Sequence, residues 1–549
     1  MFKHVLMCSA MALLLAGNAP ASQPAPQPIP EYDIVIRGGR VLDGAGNPWV
    51  RADVAVKDGR VVRVGRIGGH GVKEIDARDR YVTPGFIDMM DQSGGVLLKN
   101  GAAENKLRMG VTTVIAGEGG TPVEASQIPA YFGQLEKQGI AVNFGTYYST
   151  TQARQKAMGD GAGTPTAAQM EVMKGEVRKA MEAGVFGVTS ALIYPPSSFA
   201  STQDLITMSK VSAQCGGFYA THMRDESADL VKAVNEAIEI GEKSGAKVEI
   251  FHLKAAFAPG WGKLMPEAIA SVNAARARGV DVAADLYPYT AGGTGLEIIA
   301  PSWVWADGVE KGIARLRDPK VRERMKKEVA AGSMPGWSNL VQASGGFGNV
   351  ILANGFSKKY APYHGQSLEK IGATLKRDPA DVAWDILLEG LPNRSVALYF
   401  MMNEGDIETA LRQPWVSIGS DAAASEKFGE LDALGLPHPR AYGTFPRVIA
   451  EYSKRRPVIS LEEAVRKMTG WPAQRMGLSD RGLIRDGMRA DLVILDPATL
   501  DDVASWDKPT AAPTGIETVV VNGVVTIENG RHTGARAGVV LRHGCRAGT

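Results

Sequence analysis

The chain has 549 residues, 44% hydrophobic and 22% charged, proportions that describe a folded globular protein and exclude a disordered or collagen-like one. The formal net charge is +2 with both signs interspersed, which leaves no electrostatic footprint for nucleic acid or a membrane surface. The length suits one large domain with a smaller one beside it.

The opening stretch MFKHVLMCSAMALLLAGNAPASQ carries one Lys, an apolar core from Met11 to Ala16, and then Ala19-Pro20-Ala21. That is the layout of a secretory signal peptide over residues 1–21, and its apolar run is too short to span a bilayer. Cys8 precedes the apolar run instead of following it, which argues against a lipoprotein anchor. Residues 22–30, rich in Pro and Gln, read as an extended linker. An exported protein, periplasmic or secreted, without a membrane span is the expectation. Cys8 leaves with the signal. Cys215 and Cys545 could pair in an oxidising compartment, but one isolated pair is no disulfide framework, and Cys215 reads as a buried small apolar residue.

From residue 31 to 83, short β-branched runs alternate with turns, as in DIVIRGGRVLD and ADVAVKDGRVVRVG, with Gly38-Gly39 and Asp58-Gly59 where hairpin turns would fall. The same texture returns over 476–549, in ADLVILD and TVVVNGVVTIENG. The two ends are expected to build one small β-sandwich together. Residues 84–475 alternate differently. Apolar runs (TTVIAG, AVNFGT, FGVTSALI, GFYATH, VEIFHLK, DVAADLYPY, VALYFMM, VSIGSD) are each followed by a longer segment of helical period, clearest from Ser227 to Ser244. This predicts an α/β fold, a (β/α)8 TIM-like barrel. With the strand in PGFIDMMDQSGG there are nine candidates. VALYFMM follows a Gly- and Pro-rich excursion and is set aside, the insertion being placed at about 301–355 beside the barrel mouth.

Catalytic groups of such a barrel sit at the C-terminal ends of its strands. FYATH ends at His222, EIFH at His252 and VSIGSD at Asp421, while VIAGEGG presents Glu118. Two of only eight histidines thus terminate consecutive strands. Imidazole and carboxylate suit zinc, and a carboxylate beside a metal site could take a proton from water and deliver it to a leaving nitrogen. Asp421 is equally placed to cap a following helix, and Glu118 to hydrogen-bond a Gly-rich turn. Lys254, two residues past His252, faces the same mouth if the strand continues.

LIYPPSSFAS, YATHMRDE, FHLK, DLYPYTAGGTG, IGSDAA and HPRAYGTFPRVIAEY, in this order, resemble the D-aminoacylase (N-acyl-D-amino-acid deacylase) family of the amidohydrolase superfamily, from about Tyr32 to Glu528. The resemblance implies a metal-dependent barrel that cleaves the amide of an N-acyl-D-amino acid. It makes His222 and His252 metal ligands, Asp421 the general base and later acid, and Arg440 the clamp for the substrate carboxylate. Lys254, Tyr287 and Tyr194 become further substrate contacts. Where the family carries His-x-His, this chain has Met90 and Gln92, and where it carries a ligating cysteine, this chain has Glu118 and Gly119. The resulting expectation is one zinc ion, or another divalent transition metal, held by Glu118, His222 and His252 in an amidohydrolase acting on an N-acyl amino acid or small peptide-like amide. The alternatives are a cyclic-amide or dipeptide hydrolase on the same scaffold, or an inactive binding protein.

Overall fold

The computed structural model describes residues 31–425 and 435–545; the expected signal and linker segments lie outside the described residues. Eight parallel strand positions form the barrel: β1 (Phe86–Asp91), β2 (Val111–Ala116), β3 (Asn143–Thr146, resumed at Tyr148–Ser149), β4 (Gly187–Ala191), β5 (Phe218–His222), β6 (Lys247–Ile250), β7 (Val282–Leu286) and β8 (Val416–Ile418). The ring closes where Asp421 N donates to Met90 O at 2.8 Å, beside a parallel bridge from Asp91 to Ala422. These strands read as near-continuous apolar runs because helices cover their outer face and the barrel interior covers the other. The helix Leu230–Ser244 shows the cover, burying Leu230, Val234, Ile238 and Gly241 against the sheet while its acids and lysines face out.

VALYFMM is not a barrel strand. Val396–Tyr399 pairs antiparallel with Gly292–Gly295 and Val350–Asn354, and the helices between Val309 and Gly390 pack with this small sheet in one core that includes Leu316, Met325 and Trp384. The excursion between β7 and β8 is therefore longer than 301–355. Gly292-Gly293 offers no side chains from which a strand could be read.

Strands from both chain ends join in one nine-stranded sheet, the link being Tyr81–Pro84 paired antiparallel with Leu492–Leu495. The first strand, Tyr32–Val41, bends at an irregularity between Ile36 and Gly39, where Gly38 has φ +63°, and changes partner from Gly71–Asp76 to Tyr81–Pro84. The bend encloses Ile36, Val54, Leu492 and Val520. The tail then runs under the barrel: Gly538 N donates to Ile140 O at 2.8 Å, Leu541 N to Phe144 O at 2.7 Å and His543 N to Gly184 O at 2.9 Å. It ends in a disulfide between Cys545 and Cys215. Cys215 is thus not the unpaired apolar residue the sequence suggested, because the tail carries Cys545 to it across 330 positions.

Candidate metal centre

Glu118 is delivered by a turn after β2 in which Gly117 has φ +105°; a Cβ there would lie 2.8 Å from Tyr147 O. His222 ends β5. His252 and Asp421 stand just past β6 and β8 with φ of 36° and 48°, a left-handed conformation that costs a non-glycine residue roughly 1–3 kcal/mol and must be held by its surroundings. Buried Asp285 on β7 does this for His252, its Oδ1 accepting from His252 N at 2.8 Å. For Asp421 the chain passes at Gly419, where a Cβ would lie 2.7 Å from that of Met90.

Three donor atoms converge at the mouth. Glu118 Oε1 lies 2.8 Å from His222 Nδ1 and 3.3 Å from His252 Nε2, and the three ligand atoms are all within 4.8 Å of one another. Ligands about 2.0–2.2 Å from a tetrahedral ion stand roughly 3.3–3.6 Å apart, so small side-chain movements bring this set onto one metal. Burial disfavours ionised Glu118, yet the hydrogen bonds of both histidines outweigh it and hold the carboxyl well below its usual range. Burial and Lys254 oppose protonation of His252, but Glu226 and Glu118 overcome them and push its pKa up to about 10.

Glu226 lies behind both rings, 3.0 Å from His252 Nδ1 and 3.4 Å from His222 Nε2, the latter nitrogen making no hydrogen bond. Burial would raise its pKa; His222, Lys254 and His252 together depress it. Lys254 lines the cleft and donates from Nζ to Glu226 at 2.7 Å, with His252 Nδ1 also 2.7 Å away. Such a carboxylate fixes ring orientation at a metal site and strengthens the ligands. Sequence reasoning passed over Glu226, although its place four residues after His222 in YATHMRDE was the available signal.

Asp421 and the other expected site residues lie beside the triad. Arg440, the buried first residue of the helix Arg440–Ile449, pairs with Asp421 Oδ2 at 2.7 Å, and its guanidinium sits 4.6 Å from the centre of the Tyr287 ring. Tyr287 stands 6.2 Å from His252, centre to centre. Tyr194 packs edge-on to His222 at 5.3 Å and bonds Thr294 through its hydroxyl at 2.7 Å. All eight residues singled out in the sequence line one cleft.

The stretch PGFIDMMDQSGG borders the same site. Gln92 Nε2 donates to Glu118 Oε2 at 2.5 Å and Asp421 Oδ1 at 3.1 Å, bridging the two carboxylates, while Met90 is buried. Regular alternation would send Asp88 and Asp91 to opposite faces, but the register shifts between them and both reach Lys106 Nζ, at 2.9 and 2.7 Å. All three side chains are fully buried.

A strand-end pair of imidazoles with a carboxylate, flanked by an acid and a guanidinium at the mouth of a (β/α)8 barrel, marks an amidohydrolase. The Amidohydrolase family model matches residues 406–527. A D-aminoacylase of Alcaligenes xylosoxydans xylosoxydans is 30% identical over 93% of this chain and 97% of its own. The solved N-acyl-D-glutamate deacylase from Bordetella bronchiseptica, complexed with zinc and a phosphonate mimic of the tetrahedral intermediate, superposes with TM-score 0.77 at 28% identity, covering 93% of this chain and 99% of that one. A D-aminoacylase studied for one-metal activation and second-metal attenuation of its binuclear centre has the same TM-score at 31% identity, over 93% of this chain and 100% of that one. The chain belongs to the D-aminoacylase family of the amidohydrolase superfamily.

Proposed function

We propose that this protein is an exported deacylase that hydrolyses the amide bond of N-acyl-D-amino acids at a single zinc ion held by Glu118, His222 and His252. The observation that carries the proposal is the convergence of those three donor atoms beside the Asp421–Arg440 pair. The D configuration follows the named activities of the relatives. Export is supported by the signal-like N-terminus and by a disulfide, a bond that persists in oxidising compartments.

A single ion is favoured by what surrounds Gln92. Its amide N–H groups point at both carboxylates, Met90 is a poor zinc ligand, and Asp88 and Asp91 are both engaged by the one ammonium of Lys106. A second cation on that side would have to displace these bonds.

When bound, the ion lowers the pKa of water and polarises the scissile carbonyl. The chain's own residues do the rest. Asp421 accepts the proton of the attacking water and passes it to the amide nitrogen as the C–N bond breaks, leaving a carboxylate and a free amine. Gln92 and Arg440 hold its two oxygens, so its lone pairs are aimed before substrate arrives. A guanidinium has five N–H donors, enough for Arg440 to keep Asp421 and receive the substrate carboxylate as well. Tyr287 supports that plane from below, and Lys254 and Tyr194 line the remaining approach. A cyclic imide has no carboxylate for this clamp, which sets the acyclic substrate ahead.

The test is turnover of N-acetyl-D-amino acids and their L enantiomers by the zinc-loaded chain. The D forms should be hydrolysed, and Asp421→Ala should lower kcat by about 10²–10⁴-fold while retaining zinc. Turnover confined to cyclic imides, or none at full zinc occupancy, would contradict the proposal.

A further inference from the structure

The cleft is larger than its chemistry requires. It measures about 770 Å³, towards the upper end of the range of about 300–1,000 Å³ that holds drug-sized ligands, whereas an N-acetyl amino acid is far smaller. Most of the residues that line the cleft belong to the long excursion between β7 and β8. There its wall is apolar: Trp305, Ile313 and Leu388 stand partly exposed along it, above buried Ile298. At the rim, Val309 and Leu391 are 60% and 38% exposed. Apolar surface left open along a pocket marks where an apolar ligand group sits.

The barrel geometry decides which half of the substrate reaches it. With the scissile carbonyl at Glu118, His222 and His252, the leaving nitrogen must face Asp421, and the carboxylate beside it must face Arg440. The amino-acid half therefore lies at the end of β8. The acyl half departs the opposite way, towards the end of β4, because strands four and eight face each other across an eight-stranded ring. Beyond β4 stand Tyr194 and Pro195, and Tyr194 bonds to Thr294 of the excursion at 2.7 Å. Arg394 covers the Tyr194 ring at 5.5 Å and is neutralised by Glu297, so the passage past Tyr194 carries no unpaired cation for a second carboxylate.

We infer that the chamber formed by the excursion takes the acyl chain, and that the preferred substrates are amino acids N-acylated with medium to long fatty acids, not N-acetyl amino acids. This rests on the deacylase reading and names its substrate class. Burying a methylene favours binding about fourfold, from ~0.8 kcal/mol per CH₂. For one amino-acid half, kcat/KM should accordingly rise at least 100-fold from the acetyl to the octanoyl substrate.

The experiment measures kcat/KM for an acetyl-to-dodecanoyl series on D-leucine, together with calorimetric binding of dodecanoate to the zinc-loaded full chain. Ile313→Trp and Leu388→Trp, at two separate points of the wall, should each lower the dodecanoyl-to-acetyl ratio and weaken dodecanoate at least tenfold. A flat series with the acetyl substrate still turned over would overturn the inference and leave the deacylase reading standing. Dependence on side-chain length at constant acetyl would overturn the acyl assignment. If no amide is cleaved but dodecanoate binds and both tryptophan variants weaken it, the chamber stands and the deacylase reading falls.

Discussion

Replacing Lys106 by Met removes one buried charge and nearly conserves volume. Its ammonium has four oxygen partners: Asp88 at 2.9 Å, and Asp91, the Ser420 hydroxyl and Ala422 O at 2.7 Å each. Burial alone would lower the lysine pKa, but Asp88 and Asp91 reverse that and raise it; Asp91 is itself raised, by burial first and by Asp88, against the pull of Lys106. Without the ammonium, two carboxylates with no exposed surface face each other uncompensated. Breaking a buried pair from one side costs about 3–5 kcal/mol, limited here because one carboxyl can take up a proton. Urea unfolding at pH 7 should show that loss for Lys106→Met. Adding Asp91→Asn should recover at least half of it, since only one acid then remains to be neutralised. Activity should fall as well, because Ser420 and Ala422 flank Asp421. A loss under about 1 kcal/mol, or a double variant no better than the single one, would refute the claim that this charge cluster closes the barrel between β1 and β8.

Glu226→Gln should weaken zinc about 10–100-fold, measured by competition with a chelator, because both imidazoles lose the carboxylate behind them. Arg440→Ala should raise KM for N-acyl amino acids at least 30-fold, the scale of a lost charge-assisted fork of about 2–5 kcal/mol, and should also lower kcat because Asp421 Oδ2 loses its partner. Asp502, buried among Tyr289 and Arg447, has its pKa raised by burial from 3.8 to about 6. Its protonated form is favoured by folding, so its contribution is present below the unfolded value and lost as pH rises through about 6. Asp502→Asn should therefore gain on the wild type by up to roughly 3 kcal/mol between pH 4 and 7, from 1.36 kcal/mol per pH unit, as read from urea midpoints.

Much of this architecture is written in local pattern. Strand–helix alternation marks the barrel because each strand is buried on both faces, and the polar residue that ends such a run stands out, as His222, His252 and Asp421 do. What sequence could not show depends on distant approach. Lys106, in the short helix Glu104–Arg108, is fully buried because β1 and the loop after β8 close over it, and nothing in its local sequence announces that. Glu226 gains its role only when the chain after β5 folds back over both imidazoles. Cys545 meets Cys215 only after the tail has crossed beneath β3 and β4. The register shift in β1 breaks the alternation that assigned Asp88 and Asp91 to opposite faces.

Metal content of the dialysed protein, wild type beside Glu118→Ala, bears most directly on the central claim. One zinc per chain in the wild type, falling sharply in the variant, is the predicted result. Two ions per chain, or one that survives the loss of Glu118, would contradict a single site built on Glu118, His222 and His252.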